Sequence, residues 1–322
     1  MAMGNALGLR VEKISPLCQL QDLGRFGYQR FGVTRSGAMD PLSLRLANIL
    51  VGNPEHIACL EFSLLGGEFT VTAEHLTIAF VGGFPLRING EIQPPDSNHH
   101  LRQGDRLAIG NASTKNGIRG YLAVAGGFIT TPVLGSCATH QRSAMGGFTP
   151  AAESGNCLPV ELPVNVTTGK QIPKVQLASH QRRPLKNTLR VVAGPQQDHF
   201  TSAAIRDFYT KPFTLSADSD RMGILLTGNP LGHAGDGNII SDPVVPGSIQ
   251  VPASGNPIVL MADGPTTGGY PKIATLCSVD CAVLAQLAPG SEVRFAEITV
   301  QEAQQLVQQQ ERHIKRLVAH CR

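Results

Sequence analysis

The sequence predicts a mainly β protein with a few helices, built as two related β domains. Its 35 glycines and 22 prolines are spread along the chain and separate short runs of Val, Ile, Leu and Thr, a texture typical of strands joined by tight turns. With 322 residues the chain is too long for one small domain. Hydrophobic residues at 42% and charged residues at 16% indicate that it buries a core.

Short apolar runs supply the strands of both halves. In the first half they fall between residues 59 and 125 and are bounded by Gly, Pro or Asn, which predicts an antiparallel β-barrel or sandwich. The second half shows the same pattern of short apolar runs from residue 189 onward. A polar break at 179–184 separates the halves, so we predict domains at 9–185 and 186–322.

Three segments carry helix signals. The clearest covers 42–51, where apolar residues recur at helical spacing after Asp40 as N-cap and Pro41 in the first turn. A second helix is predicted near 198–208. The Gln- and Glu-rich segment 300–317 predicts a surface helix.

Composition argues against several kinds of partner. The formal charge is +3, from 27 basic and 24 acidic residues, and no basic stripe with interleaved aromatics tracks a phosphate backbone, so nucleic acid is not expected. No apolar run approaches the ~20 residues that span a bilayer, and the first residues lack a signal-peptide pattern. We expect a cytoplasmic protein with no membrane partner.

The cysteines and histidines do not indicate a metal site. The seven cysteines are scattered without a Cys-x-x-Cys pair, which favours reduced, structural thiols. His99, His100 and His233 have no further ligands at metal-site spacing. Cys137 and His140 could form a nucleophile–base pair, but a packed cysteine beside a polar loop is the alternative that we favour.

The segment 241–275 has the densest polar side chains, set at Gly-rich turns between apolar strands. Asp263 and Lys272 are its candidate catalytic residues, because they place a carboxylate and an ammonium near glycines that let backbone N–H groups approach an anion. The substrate-binding candidates of this segment are Gln250, Thr266, Thr267, Gly268, Gly269 and Tyr270. In the alternative reading the glycines form a plain β-turn, Asp263 bonds local backbone and Lys272 is solvated.

The first half offers a second polar loop, residues 21–33 (QDLGRFGYQRFGV). Asp22 and Arg25 are candidate catalytic residues here, since an Arg fork suits a carboxylate or phosphate and an Asp can orient it. An Asp22–Arg25 ion pair that only ties the loop is the alternative. The other binding candidates are polar or cationic: Tyr28, Arg30, Asp40 and Arg221.

Seven motifs together resemble one family. They are residues 21–33, SGAMDP at 36–41, LANILVGNP at 46–54, GPQ at 194–196, SDRMG at 219–223, SDPVVPGSIQV at 241–251 and ADGPTTGGYPKIAT at 262–275. In sequence and order they are similar to the KipA or allophanate hydrolase subunit 2 family of biotin-dependent carboxyltransferase proteins. Stand-alone bacterial members of that family are mostly the C subunit of 5-oxoprolinase.

The resemblance implies two related cyclophilin-like β-barrel domains and an ATP-dependent hydrolysis of 5-oxo-L-proline to L-glutamate. It implies ATP with Mg²⁺ as cofactor, although no nucleotide-binding motif occurs in the sequence. It also implies two partners, a KipI-like B subunit and a LamB/YcsF-like A subunit. The alternatives are a carboxyltransferase of the urea carboxylase type, which alone would use biotin, and a non-catalytic regulator that binds a KipI-like kinase inhibitor.

Overall fold

The computed structural model describes residues 7–148, 152–162, 172–177 and 185–321. These residues contain twenty strands and four α-helices, so the predicted mainly β chain with a few helices is confirmed. They divide into two compact units. The first unit comprises the described residues of 1–25, 40–183 and 314–322, and the second those of 26–39 and 184–313.

The first unit consists of two antiparallel sheets. One has the strand order β11-β1-β4-β9-β6-β7, and the other the order β2-β3-β10-β5-β8. The strands are β1 (Gly8–Ile14), β2 (Gln19–Gln21), β3 (Cys59–Ser63), β4 (Gly67–Val71), β5 (His75–Gly82), β6 (Leu86–Ile88), β7 (Glu91–Gln93), β8 (Ser97–Arg102), β9 (Arg106–Ile109), β10 (Arg119–Val124) and β11 (Cys157–Pro159).

Apolar side chains of both sheets form one core in the first unit. Phe62 of β3 meets Phe69 of β4 edge to face across the two sheets, with ring centroids 6.3 Å apart, a favourable aromatic geometry. Of the two alternatives predicted for this half, the structure shows the sandwich. Helix α1 (Pro41–Leu50) packs on β10 and β5, close to its predicted position.

The second unit contains a closed seven-stranded barrel of order β12-β19-β16-β17-β14-β13-β20. Only the β12–β20 pair is parallel; β15 and β18 form a separate two-stranded sheet. The strands are β12 (Thr188–Ala193), β13 (Phe213–Leu215), β14 (Gly223–Gly228), β15 (Asp242–Pro243), β16 (Ser248–Gln250), β17 (Ile258–Leu260), β18 (Thr267–Gly268), β19 (Lys272–Leu276) and β20 (Glu292–Glu297).

Three helices belong to the second half: α2 (Ser202–Thr210), α3 (Ser278–Gln286) and α4 (Val300–Cys321). Helix α2 begins later than predicted because the side chain of Thr201 caps it by accepting from Ala204 N. Helix α3 was not predicted. Among the helices of the described residues, none is both long and apolar enough to cross a membrane.

The two units differ from the predicted division at 185/186 in two segments. Residues 26–39 belong to the second unit, where Met39 joins the barrel core. The described residues of 314–322 are grouped with the first unit. A segment that is grouped with the other half of the chain carries no local sequence signal of that grouping. A single domain boundary was therefore the simplest prediction.

Candidate functional site

Two loops of the second unit pair with each other beside the barrel. Strand β15 pairs with β18 so that Asp242 lies opposite Gly268, and Ile239 N donates to the carbonyl of Gly269 at 2.9 Å. Gly268 lies directly over the amide of Gln250, since a Cβ at position 268 would be 2.3 Å from Gln250 Nε2. A side chain at position 268 would therefore displace the Gln250 amide from its present place.

Lys272, the first residue of β19, is the centre of a polar cluster. Lys272 as a whole is 4% exposed. Its Nζ donates to the carboxylate of Asp242 and to the carbonyl of Pro243 at 3.1 Å. Gln196 joins the cluster twice: its Oε1 accepts from Lys272 N at 3.2 Å and its Nε2 donates to Asp242 Oδ2 at 3.3 Å. The solvated-lysine reading is thus excluded.

The ion pair between Lys272 and Asp242 favours the charged form of Asp242. The hydrogen bond from Lys272 is the main reason why the pKa of Asp242 lies below its ordinary value, and the bond from Gln196 lowers it further. The side chain of Asp242 is 42% exposed whereas that of Lys272 is 5% exposed. An ionised, partly accessible carboxylate therefore sits in front of a buried ammonium.

Asp242 and Gln196 also line an open cavity of about 470 Å³, a size suited to a small molecule. The lining residues are Gln196, His199, Asn238, Ile239, Ile240, Ser241 and Asp242. Sequence reasoning missed Asp242 and Gln196 as site residues. The available signals were their positions within two of the seven family motifs and, for Asp242, within the polar segment 241–275.

Asp263, the second catalytic candidate of this segment, contacts a different set of residues. Its carboxylate accepts from Arg221 Nε at 2.8 Å, from Arg221 Nη2 at 3.1 Å and from Ser36 Oγ at 2.6 Å. Arg221 Nη2 also donates to the carbonyl of Gly37 at 2.6 Å. Asp263 and Arg221 therefore tie segments of the second unit together.

The other candidates of this loop are a supporting residue and exposed side chains. Gln250 is 4% exposed and donates from Nε2 to the carbonyl of Tyr270 at 3.0 Å, so it supports the loop from beneath. Thr267 and Tyr270 are exposed and Thr266 is half-buried.

In the first unit Asp22 and Arg25 both bind the segment 133–138. Asp22 accepts from Ser136 Oγ and from Cys137 N, each at 2.7 Å. Arg25 is 1% exposed and donates from Nη2 to the carbonyl of Ala138 at 2.5 Å. These contacts tie the loop to the 133–138 segment, whereas the alternative given above was an ion pair between Asp22 and Arg25 themselves.

Three further candidates occupy separate places. Asp40 caps helix α1, since its carboxylate accepts from the backbone and side chain of Ser43. Tyr28 precedes a short 3₁₀ helix, Gln29–Phe31. Arg30 is exposed and its guanidinium lies 4.7 Å from the ring centroid of Phe31, a cation–π contact.

Cys137 is a packed thiol rather than an activated one. Burial raises its pKa, and the negative charge of Asp22 raises it further while Arg25 opposes this. A nucleophilic cysteine needs the opposite shift. The described residues contain no group of three or more His, Cys, Asp or Glu side chains that could hold a metal ion.

A buried network on β3 and β10 also escaped the sequence analysis. Tyr121 is fully buried; its hydroxyl donates to Glu61 Oε2 and accepts from Asp40 N, both at 2.7 Å. Arg119 Nη1 donates to Ser63 Oγ at 2.6 Å and lies 3.5 Å from Glu61 Oε1. Burial raises the pKa of Tyr121 well above its ordinary value.

Fold and site define a two-unit β protein whose barrel unit carries a lysine–carboxylate–amide cluster beside a small-molecule-sized cavity. The family model described as carboxyltransferase domain, subdomain A and B, matches residues 31–297. The C subunit of the Escherichia coli 5-oxoprolinase is 34% identical over 96% of this chain and 97% of its own length. That of Haemophilus influenzae is 34% identical over 92% and 94%.

A solved structure agrees with these relatives. The crystal structure of the urea amidolyase of K. lactis matches 97% of this chain with a TM-score of 0.89 at 27% identity, and the match spans 20% of that longer chain. The chain therefore belongs to the carboxyltransferase-domain family, subdomains A and B, which it shares with the C subunits of 5-oxoprolinases.

Proposed function

We propose that this chain is the C subunit of an ATP-dependent 5-oxoprolinase, which hydrolyses 5-oxo-L-proline to L-glutamate. The observation that carries the proposal is the 34% identity to a 5-oxoprolinase C subunit over 96% of the chain and 97% of that relative. A KipI-like B subunit and a LamB/YcsF-like A subunit are the proposed partners in the complex. Its proposed location is the cytoplasm.

The cluster around Lys272 suits a small cyclic amide that carries a carboxylate. The buried ammonium of Lys272 is the group that can bind an anionic oxygen of such a molecule. The accessible carboxylate of Asp242 can accept a hydrogen bond from the ring N–H. Gln196 holds both residues through its amide, so the two charged groups keep their spacing when a ligand enters.

The same groups fit the chemistry of opening the ring. Hydrolysis forms a C–O bond to water and breaks the ring C–N bond, and negative charge develops on the ring carbonyl oxygen. An ammonium near this oxygen would stabilise the charge. Asp242 can accept the proton that the attacking water loses and return it to the ring nitrogen as the C–N bond breaks.

ATP with Mg²⁺ stays a prediction. Mg²⁺ in phosphate-transfer sites is held by one or two carboxylates together with the substrate phosphates. The carboxylate of Asp242 is already engaged by Lys272, and those of Asp22 and Asp263 are occupied by local donors. Mg²⁺ at any of these three carboxylates would therefore have to displace a donor that is already in place, and no step above is routed through the nucleotide.

The test is reconstitution of the variants Lys272→Met and Asp242→Asn with the A and B subunits. Each should lower ATP- and 5-oxoproline-dependent glutamate release roughly 100-fold or more, the usual effect of removing a charge-stabilising group. Lys211→Met is the matched control, because Lys211 is an exposed lysine of the same unit that pairs with Asp207. Near-normal rates for Lys272→Met would reject this site, and a wild-type complex without activity would reject the function.

The match to urea amidolyase favours a second candidate, a carboxyltransferase that moves a carboxyl group between biotin and a small amide. This alternative predicts that the chain consumes carboxybiotin with urea as acceptor and shows no 5-oxoproline-dependent turnover. Tight binding of the KipI-like B subunit without turnover in either assay would instead support the regulator.

A further inference from the structure

Ser36 has an unusual backbone for a buried residue with a side chain. Its φ is 54°, and Gly37 follows with a φ of 92°. Residues with a Cβ rarely adopt this left-handed conformation, because the Cβ crowds the backbone. Ser36 is also only 4% exposed. Such strain persists where the surrounding structure determines the conformation, often beside a functional site.

The contacts of Ser36 identify what holds it there. Its hydroxyl donates to Asp263 Oδ1 at 2.6 Å, and Arg221 binds both oxygens of that carboxylate. Arg221 Nη2 donates in turn to the carbonyl of Gly37 at 2.6 Å. These hydrogen bonds connect Ser36 to Asp263, Asp263 to Arg221 and Arg221 to Gly37. The peptide bond between Ser36 and Gly37 closes the ring. Each of the hydrogen bonds involves a charged group and is correspondingly strong.

Asp263 connects this ring to the candidate site. It is the first residue of the loop 263–271, and its backbone N donates to the carbonyl of Arg221 at 2.9 Å. Further along the loop, the carbonyl of Thr266 accepts from Val244 N at 3.1 Å. Gly268 then pairs with Asp242. The position of Asp263 at the start of the loop therefore affects how Asp242 is aligned with Lys272.

We infer that Ser36 is a positioning residue for the site: its hydroxyl fixes Asp263, and through the loop 263–271 it keeps Asp242 aligned with Lys272. Ser36 is buried and is not expected to touch the substrate. The activity part of this inference rests on the proposed function. Its structural part, the order of the loop pair, can be measured without any substrate.

Two variants separate the hydroxyl from the backbone strain. Ser36→Gly removes the hydroxyl and relieves the strain, because glycine adopts positive φ freely. Ser36→Ala removes the hydroxyl and keeps the strain. We expect Ser36→Gly to melt at a temperature equal to or above that of Ser36→Ala. Both should lose kcat/KM roughly tenfold or more in the complex with the A and B subunits, mainly through kcat, since misplaced groups affect the transition state most.

Amide hydrogen exchange gives the readout that does not depend on activity. In both variants the amides of Ile239 and Val244, which donate to the loop 263–271, should exchange roughly tenfold faster than in the wild type, because local opening becomes easier. Ser254→Gly, a change at an exposed serine of the same unit, should alter neither exchange nor turnover.

The inference is overturned if Ser36→Gly keeps both exchange rates and its kcat/KM within twofold of the wild type. A wild-type complex that shows no 5-oxoproline turnover would reject the proposed function. In that case the exchange rates of Ile239 and Val244 alone decide the positioning role. Faster exchange in both variants would support the positioning role of Ser36, and unchanged exchange would contradict it.

Discussion

Arg25 donates from Nη2 to the carbonyl oxygen of Ala138 at 2.5 Å, and 1% of its surface is exposed. Its Nε lies 3.5 Å from the carbonyl of Val133. Asp22, three residues earlier, accepts from the same segment at Cys137 N. A buried guanidinium directed at backbone carbonyls joins two stretches of chain, so its first effect should be on the stability of the first unit.

Arg25→Met should therefore lower the free energy of unfolding by about 2–3 kcal/mol, because buried carbonyls lose a charged donor. Urea denaturation measures this. Arg30→Met is the control: Arg30 is exposed and should have little effect. Equal unfolding midpoints for Arg25→Met and the wild type, with a large loss of turnover in the complex, would contradict this and would support the catalytic role predicted from the sequence.

Tyr121→Phe should also destabilise the first unit. It leaves Glu61 Oε2 and Asp40 N without the hydroxyl that binds them, at a cost of about 2 kcal/mol. Thermal unfolding measures the loss. Tyr270→Phe is the control, because Tyr270 is 39% exposed; a loss no larger than in the control would contradict the structural role of the network.

The raised pKa of Tyr121 predicts a pH effect as well. Burial, followed by the charges of Glu61 and Asp40, raises the pKa well above the ordinary value. The folded state thus holds this proton more tightly than the unfolded state, so the stability it contributes is present below about pH 10 and is lost as pH rises beyond it. Phenolate absorbance should show one tyrosine that ionises only with alkaline unfolding, and Tyr121→Phe should remove it.

Elements with local signals were predictable from the sequence. Helix α1 lies within one residue of its predicted range, because Asp40 and Pro41 mark its start and one apolar face repeats at helical spacing. Helix α3 (Ser278–Gln286) was missed, since seven of its nine residues are buried. A helix that is buried on nearly all sides shows no amphipathic period.

Lys272 was predicted as a site residue from the sequence, but its partners in the polar cluster were not. Lys272, Gln250 and Asp242 all belong to the dense polar segment 241–275, but only the first two were singled out as candidates. Asp242 and Gln196, the partners of Lys272, lie 30 and 76 residues before it. Their meeting with Lys272 depends on the pairing of β15 with β18 and of β12 with β19, which one sequence does not encode locally. Asp263 was assigned to catalysis because it is near Lys272 in sequence, whereas in the structure it binds Arg221 and Ser36.

Asp280→Asn should destabilise the second unit in a pH-dependent way. Asp280 is fully buried and accepts from Arg190 Nε at 2.8 Å, from Arg190 Nη2 at 2.6 Å and from Lys186 Nζ at 3.1 Å. Removing its charge leaves the two cations without a buried partner. We expect the free energy of unfolding to fall by about 3 kcal/mol at neutral pH, as measured by urea denaturation.

The sign of the pH effect follows from the pKa of Asp280. Burial raises this pKa, but the hydrogen bonds from Arg190 and the charge of Lys186 outweigh burial and leave it below the ordinary value. The stabilisation is therefore full above the unfolded-state value of about 4 and is lost as pH falls through the lower, folded-state value. The gap between wild type and Asp280→Asn should narrow in that acid range, and a gap that stays constant would contradict the assignment.

Gly194→Ala should disrupt the lysine cluster without touching any of its polar side chains. A Cβ at position 194 would lie 2.1 Å from the carbonyl oxygen of Lys272 and 2.7 Å from Ala274 N. Both are backbone atoms of β19, so no side-chain rotation can make room. The chain at Gly194 must then move away from β19 and take Gln196 with it.

The expected result for Gly194→Ala is a loss of about 1–3 kcal/mol in the free energy of unfolding, typical of overpacking, together with a loss of glutamate release in the reconstituted complex. Gly235→Ala is the matched control, because a Cβ at that exposed position meets nothing within 4 Å. If Gly194→Ala behaves like Gly235→Ala in both assays, the close approach of β12's end to β19 does not hold Gln196 in place. If it loses turnover far beyond its loss of stability, the spacing of Gln196, Asp242 and Lys272 is what the reaction requires.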